Sequence, residues 1–264
     1  QKAVVHMPKG SPQTRLENIA KEGASVDIQD MNYDDCVRLA AKEAAETPRG
    51  VIVQDTAWDG YEEIPAWIMQ GYGTMAMEAG EQLKEYGCDR PTHIFVQAGV
   101  GSLAGAVVGY FTNLYADNPP TFVVVEAEAA ACLYKGAAAG DGKIRIVDGD
   151  METIMAGLAC GEPNTISWDI LKNHVKVFIA APDWVAADGM RMLGAPIKGD
   201  APVTSGESGA APFGALAAMM TMDEYADLRK DIGLDENSKI LLFSTEGDTD
   251  PERYRNIVWK GLDR

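Results

Sequence analysis

Asp55 is the first side chain in this sequence that we predict to do chemistry. It follows the apolar, β-rich run Val51–Val53 and precedes a turn that contains Trp58 and Tyr61. We expect a buried parallel strand over Val51–Gln54, and open α/β sheets bind their ligands beyond the carboxyl ends of such strands. Aspartate also caps helices and forms turns, and spacing alone favours that structural role.

A glycine-rich segment, QAGVGSLAG at 97–105, has the composition of a binding loop. It follows a predicted strand over His93–Gln97 and opens a predicted helix over Ser102–Tyr115. Gly99 and Gly101 permit tight turns and close backbone approach, and backbone amides at a helix start can cradle a phosphate. The spacing matches neither GxGxxG nor a Walker loop. Glycine needed only for helix–strand packing explains the segment equally well.

Two further segments carry hydroxyl groups or glycine where a strand ends or a helix begins. SGESGA at 205–210 puts Glu207 at the entrance of a predicted helix, near the positive end of its dipole. LLFSTEGDTD at 241–250 ends a predicted strand in Ser244 and Thr245. Capping and turn formation explain each segment alone. Together with the glycine-rich segment they predict a phosphorylated cofactor at one sheet edge.

The overall charge limits the classes of partner. The chain has 264 residues, a formal net charge of −17 and 46% hydrophobic residues. An acidic surface of this size argues against nucleic acid and anionic membranes as partners. No apolar run reaches the length of a membrane-spanning helix. A small-molecule ligand held by local amides stays compatible with this charge.

The cysteines and histidines do not predict a metal site. The four cysteines form no CxxC pair, and the three histidines lie far apart. Free thiols in a reducing, cytoplasmic environment are therefore expected, although pairing of Cys132 with Cys160 stays open. We interpret Cys160 as a buried structural thiol, because no histidine lies near it in sequence.

Strand-like and helix-like segments alternate along the chain. This alternation predicts an α/β fold of open, mostly parallel, twisted sheets covered by helices. Strands are expected at 3–7, 25–29, 51–54, 93–97, 122–126, 143–147, 176–180 and 239–243. Helices are expected at 12–22, 33–46, 64–86, 102–115, 129–136, 183–193, 210–220 and 251–260.

Seven segments resemble the diaminopropionate ammonia-lyase family. They are MPKGSPQTRLENI (7–19), DMNYDDCVRL (30–39), VQDTAWDGYEEIPAWIMQGY (53–72), QAGVGSLAG (97–105), DMETIMAGLACGEPN (150–164), SGESGA (205–210) and STEGDTD (244–250). That family is a carbon–nitrogen lyase group within the fold-type II pyridoxal phosphate enzymes, which are related to tryptophan synthase β. The resemblance runs from end to end, and the motifs at 53–72 and 150–164 are specific to the family.

The resemblance implies a pyridoxal 5'-phosphate-dependent α,β-elimination that converts 2,3-diaminopropionate to pyruvate and ammonia. It also implies a cytoplasmic homodimer that acts on a small amino acid. We expect residues 1–90 to form most of a smaller α/β subdomain, and residues 91–264 to form the larger cofactor-binding domain.

The resemblance assigns roles position by position. Asp55 matches the carboxylate that serves as base for the L-substrate. Ala98, Gly99, Val100, Gly101 and Ser102 match the phosphate-binding loop, with Ala98 and Val100 in place of glycines found in the wider superfamily. Ser244 matches the hydroxyl that faces the pyridine nitrogen, and Glu207 matches an acidic position near the ring.

The resemblance also predicts a departure at the amino-terminal side. The family's Schiff-base lysine, its DGNHG-like loop and its second catalytic aspartate would all precede the first residue of this chain. Lys9 does not match the lysine position. We therefore expect the chain by itself to lack the Schiff-base step.

Two alternatives stay open at this point. One is a related eliminase of the serine or threonine dehydratase type, although the segment around Asp55 argues against it. The other is a truncated, non-catalytic fragment that folds, dimerises and binds a ligand.

Overall fold

The computed structural model describes residues 2–263. The strands are β1 (Val4–Met7), β2 (Ser25–Ile28), β3 (His93–Gln97), β4 (Thr121–Ala127), β5 (Val175–Ala181) and β6 (Ile240–Leu242). The helices are α1 (Gln13–Lys21), α2 (Tyr33–Glu46), α3 (Glu63–Glu85), α4 (Ser102–Leu114), α5 (Cys132–Ala139), α6 (Thr165–His174), α7 (Asp183–Gly194), α8 (Glu207–Thr221), α9 (Ala226–Ile232) and α10 (Pro251–Val258). None of the helices between residues 2 and 263 is long and apolar enough to cross a membrane.

The strands pair in parallel and form two separate sheets. β1 pairs with β2, and the second sheet has the order β5–β4–β3–β6. In the second sheet Phe95 lies opposite Val123 on one side and opposite Leu242 on the other. The predicted architecture of parallel sheets covered by helices is therefore confirmed.

The strand order places a topological switch point at β3. The chain runs from β3 to β4 and β5 on one side, and then returns to β6 on the other side. Connections that leave neighbouring strands in opposite directions open a crevice at their carboxyl ends, where α/β proteins bind ligands. The glycine-rich segment begins at this point.

Side chains of the second sheet alternate between two apolar cores. Phe95, Val123 and Val125 belong to a core that includes residues of α7 and α8. Ile94 and Val96 belong to a second core that includes residues of α4 and α6. Because both faces are covered, β3 is buried along its whole length, as is usual for parallel sheets.

Most element boundaries agree with the sequence-based predictions to within a few residues, but two predicted strands are wrong. Residues 51–54 and 143–147 form no strand. Val51 and Val53 are 68% and 69% exposed, so their β-branched side chains pack on no sheet. The helices α6 and α9 were not predicted.

Candidate active site

A cavity of about 330 Å³ opens at the carboxyl end of β3. It brings together Asp55 and the whole 98–102 segment, which are far apart in the sequence. The other residues that line it are Tyr33, Tyr72, Gln97, Leu103, Ala156, Gly157, Leu158, Cys160, Ser208, Thr245 and Glu246. The volume is typical of a small-molecule site, for which about 300–1,000 Å³ is usual.

Asp55 reaches this cavity from an irregular segment and not from a strand. The Tyr61 hydroxyl donates to the Ile52 carbonyl at 3.1 Å and accepts from the Gln54 amide at 3.1 Å. The Ser102 hydroxyl donates to the Asp55 carbonyl at 2.7 Å. Side chains therefore take the place of the ladder hydrogen bonds that a partner strand would supply.

The carboxyl group of Asp55 is in an environment that favours its protonated form. Burial raises its pKa above the usual range, and hydrogen bonds from its own amide and from the Tyr33 hydroxyl act in the opposite direction. The Tyr33 hydroxyl donates to Asp55 Oδ1 at 3.4 Å. A carboxyl group with a raised pKa inside a cavity is a candidate general base.

The glycine-rich loop directs backbone amides to the start of α4. Gly101 has φ = 99°, and a Cβ there would lie 2.8 Å from Ser167 Oγ. Within residues 2–263, the amides of Gly99, Gly101 and Ser102 donate to no protein acceptor. Unpaired amides at a helix start are suited to binding an anion.

Two predicted site residues lie outside the cavity lining. The Ser244 hydroxyl donates to Ser205 Oγ at 2.9 Å, and Glu207 Oε1 lies 3.5 Å from Arg253 Nε. Burial raises the pKa of Glu207. Their predicted cofactor-binding roles stay predictions.

Sequence reasoning assigned no role to several residues that line the cavity. Gln97 carried a usable signal, because it is the polar end of an apolar strand. Its Nε2 donates to the Phe243 carbonyl at 3.0 Å and to Thr245 Oγ1 at 2.8 Å. Tyr33 and Ser208 lie in segments that the resemblance had identified, but the motifs alone do not indicate which side chains face the cavity.

Two other buried polar groups, Cys132 and Glu126, have structural partners. The Cys132 thiol donates to the Cys160 carbonyl at 3.7 Å, and both cysteines are free. Glu126 accepts hydrogen bonds from the Leu133 and Tyr134 amides at 2.8 and 2.6 Å, which caps the start of α5. Burial raises the pKa of Glu126 to about 8.

Lysine is absent from the described residues that line the cavity. Lys9 lies at the surface, where its Nζ is 3.3 Å from Asp30 Oδ1.

Residues 1–243 match the family described as "Pyridoxal-phosphate dependent enzyme". Since this match covers most of the chain, the chain belongs to that family, and its fold is the fold-type II architecture.

Within this family, the chain is similar over almost its whole length to diaminopropionate ammonia-lyases. The chain is 54% identical over 261 residues to the diaminopropionate ammonia-lyase of Salmonella typhimurium. That alignment covers 98% of this chain and 64% of the relative. It is 49% identical to the diaminopropionate ammonia-lyase of Escherichia coli, and that alignment covers 99% of this chain and 65% of the relative. The crystal structure of selenomethionine-incorporated holo diaminopropionate ammonia lyase from Escherichia coli superposes with a TM-score of 0.92 at 47% identity. That superposition covers 100% of this chain and 65% of that one.

These comparisons confirm the resemblance carried by the seven sequence segments. The chain spans slightly less than two thirds of the length of these relatives.

The described cavity fits pyridoxal phosphate. The unpaired amides around Gly99 and Gly101 suit a phosphate group. The Ser208 hydroxyl is buried and has no partner among the residues that the structure describes, and it lines the same cavity. Because buried hydroxyl groups are rarely left unpaired, this atom indicates a polar ligand.

Proposed function

We propose that a protein containing this chain catalyses the pyridoxal phosphate-dependent α,β-elimination of 2,3-diaminopropionate to pyruvate and ammonia. The single observation that best supports this proposal is the meeting of Asp55 with the 98–102 loop in one cavity. Likeness to two diaminopropionate ammonia-lyases across almost the whole chain supports the choice of substrate.

We propose that residues 98–102 bind the cofactor phosphate through their backbone amides. The Ser208 hydroxyl would supply a further hydrogen bond, since it is buried and has no partner within residues 2–263. Ser244 would face the pyridine nitrogen and Glu207 would lie near the ring, as the family resemblance implies. When bound, pyridoxal phosphate supplies the electron sink for the reaction.

Asp55 is the proposed base that accepts the α-proton of the substrate. Its partly buried carboxyl group retains a proton more readily than an exposed one does. The Tyr33 hydroxyl orients Oδ1, and Ser102 holds the main chain of Asp55 beside the phosphate loop. These contacts limit the freedom of the base before the substrate arrives, which favours catalysis.

The proposal is tested in a longer protein that contains this chain, by measuring pyruvate and ammonia release from 2,3-diaminopropionate and from serine with pyridoxal phosphate present. We expect faster turnover of diaminopropionate, and loss of at least about 100-fold in kcat for Asp55→Asn, since positioned bases contribute about 10²–10⁴-fold. Faster turnover of serine would instead identify a dehydratase-like eliminase. Release from neither substrate would contradict the proposed function.

We propose that residues 1–90 and 91–264 form two subdomains. The separation of the β1–β2 sheet from the four-stranded sheet supports this division. Limited proteolysis should cut first near residue 90, and resistance of that region with cuts elsewhere would contradict it.

We also propose a cytoplasmic homodimer. Four free cysteines are typical of a reducing compartment, and exposed aromatic side chains such as Trp67 and Trp259 are available for subunit contacts. Cell fractionation tests the location, and light scattering tests the dimer.

A further inference from the structure

We infer that Asn164 is a positioning residue that fixes the main chain of Asp55 against the start of α4. This inference rests on the proposed function, because it concerns the same base and the same phosphate loop. Asn164 ends the segment GLACGEPN at 157–164, which is part of the 150–164 segment that resembles the family but supplies only Gly157, Leu158 and Cys160 of the described cavity lining.

The side chain of Asn164 joins three structural elements. Its Nδ2 donates to the Asp55 carbonyl at 2.6 Å and to Ser102 Oγ at 2.9 Å. The Ser102 hydroxyl donates to the same Asp55 carbonyl at 2.7 Å. The three groups therefore close a triangle of hydrogen bonds between the base segment, the phosphate loop and Asn164.

The remaining polar groups of Asn164 are also used. Its Oδ1 accepts from the Ser167 amide at 3.0 Å and so caps α6. Its backbone amide donates to the Val100 carbonyl at 2.8 Å, inside the phosphate loop. Both donors and the acceptor of the side chain are satisfied, and Asn164 is 0% exposed.

The local fold makes this triangle of hydrogen bonds important for the position of Asp55. No strand among residues 2–263 pairs with residues 51–54, so the position of Asp55 depends on a few side-chain hydrogen bonds. A displacement of about 1 Å at a reacting group can cost about 10²-fold in rate. Loss of the triangle of hydrogen bonds is therefore expected to lower the rate of proton transfer more than the affinity for substrate.

Capping of α6 is the competing explanation for Asn164, and Asn164→Asp separates the two roles. Aspartate keeps an oxygen that can cap α6, but it replaces the donor amide by an acceptor that faces the Asp55 carbonyl. Asn32→Asp is the matched control. Asn32 caps α2 by accepting from the Asp35 amide at 2.9 Å, and its Nδ2 donates to the Gly149 carbonyl at 3.2 Å.

Two measurements test the inference. In the enzyme with pyridoxal phosphate, Asn164→Asp should lower kcat about 10- to 100-fold and leave KM within about threefold. The kinetic isotope effect with α-deuterated diaminopropionate should increase, because proton abstraction becomes slower relative to the other steps. Asn32→Asp should leave kcat within about twofold, since it removes no contact of Asp55.

The second measurement needs no activity. Hydrogen–deuterium exchange of the 51–58 region in the 264-residue chain should become faster in Asn164→Asp and stay unchanged in Asn32→Asp. If Asn164→Asp does not fold, Ser102→Ala removes another side of the triangle and should give the same faster exchange.

Unchanged exchange together with an unchanged isotope effect would overturn the inference. A fall in kcat equal to that of Asn32→Asp would overturn it as well, because a cap alone would then account for the loss. If the wild-type enzyme releases no pyruvate, the proposed function fails, but the exchange experiment still decides the role of Asn164.

Discussion

At the scale of single residues, Asp55 illustrates a conflict between stability and chemistry. Its pKa is raised in the folded state, first of all by burial. A carboxyl group with a raised folded pKa destabilises the fold at a pH above both its folded and unfolded pKa values, and this cost disappears below its unfolded pKa. The chain therefore keeps an ionisable group at a position where a permanently neutral one would fold better above that pH.

Asp55→Asn should increase the free energy of unfolding at pH 7, while it lowers kcat of the proposed elimination at least about 100-fold. The gain should shrink as the pH falls through the raised pKa of Asp55 and disappear below the unfolded value, since both forms are then neutral. Urea unfolding at pH 7 and pH 3.5 measures this difference. Asp59→Asn, at an exposed position of the same segment, is the control and should change stability little. A destabilised Asp55→Asn at pH 7 would contradict the argument.

Tyr33→Phe should raise the pKa of Asp55. The Tyr33 hydroxyl donates to Oδ1 at 3.4 Å, and a donor to the ionised form lowers a carboxyl pKa. Loss of this donor leaves burial, which raises the pKa, less opposed, so we expect an upward shift. A carbon-13 NMR titration of aspartate carboxyl groups measures this shift, with Asp55→Asn used for assignment.

Tyr72→Phe is the control for this titration. Tyr72 lines the same cavity, but within residues 2–263 its hydroxyl makes no hydrogen bond to Asp55. Equal shifts in the two variants would mean that the Tyr33 hydrogen bond does not set the Asp55 pKa.

At the scale of elements, α7 and α8 pack so closely that a glycine is required between them. A Cβ at Gly214 of α8 would overlap the Val185 carbonyl oxygen of α7. Because a backbone atom cannot move aside as a flexible side chain does, Gly214→Ala should cost about 1–3 kcal/mol in the free energy of unfolding.

Gly71→Ala is the matched control for Gly214→Ala. A Cβ at Gly71 in α3 would meet nothing within 4 Å. Alanine is the better helix former, so this variant should gain up to about 1 kcal/mol. Chemical unfolding of both variants tests the pair. Equal effects would show that helix propensity, and not close packing, governs both positions.

The helices and strands also show which parts of the fold could be predicted from the sequence. The regular alternation and the apolar periods of β3, β4 and their covering helices were sufficient for the fold class and most boundaries. Residues 51–54 were misread because valine and isoleucine favour strands, while a strand also needs a partner. In the structure Tyr61 supplies hydrogen bonds to this segment instead.

β-Branched residues also explain why the helix α6 was not predicted. Thr165 and Ile166 are β-branched and weaken the helical signal at its start. The structure begins the helix nonetheless, because Asn164 caps it and Trp168 and Leu171 are buried on one face. For the site, the sequence singled out Asp55 and the glycine loop, and both line the cavity, while their catalytic and cofactor-binding roles stay predictions. The hydrogen bonds of Asn164 could not be predicted from sequence, because Asn164 is 109 positions from Asp55 and 62 positions from Ser102.

At the scale of the whole molecule, strand order and charge act at different ranges. The position of β3 between β4 and β6 brings the 98–102 loop and residues 245–246 to one crevice. The net charge of −17 is a property of the entire surface. Like charges repel more strongly in the compact state than in the expanded unfolded chain, so this charge opposes folding.

Added salt should therefore stabilise the chain at neutral pH. Raising NaCl from 10 to 150 mM shortens the Debye length from about 30 to about 8 Å, which screens repulsion between distant surface charges. Ion pairs such as Arg145–Asp141 lie at the surface and contribute little, so their weakening should not cancel the gain. We expect Tm to rise by a few degrees, measured by scanning calorimetry. Near pH 4.5, the calculated isoelectric point, the net charge disappears and the rise should disappear with it. A rise of equal size at both pH values would assign the effect to exclusion of salt from the surface and not to charge.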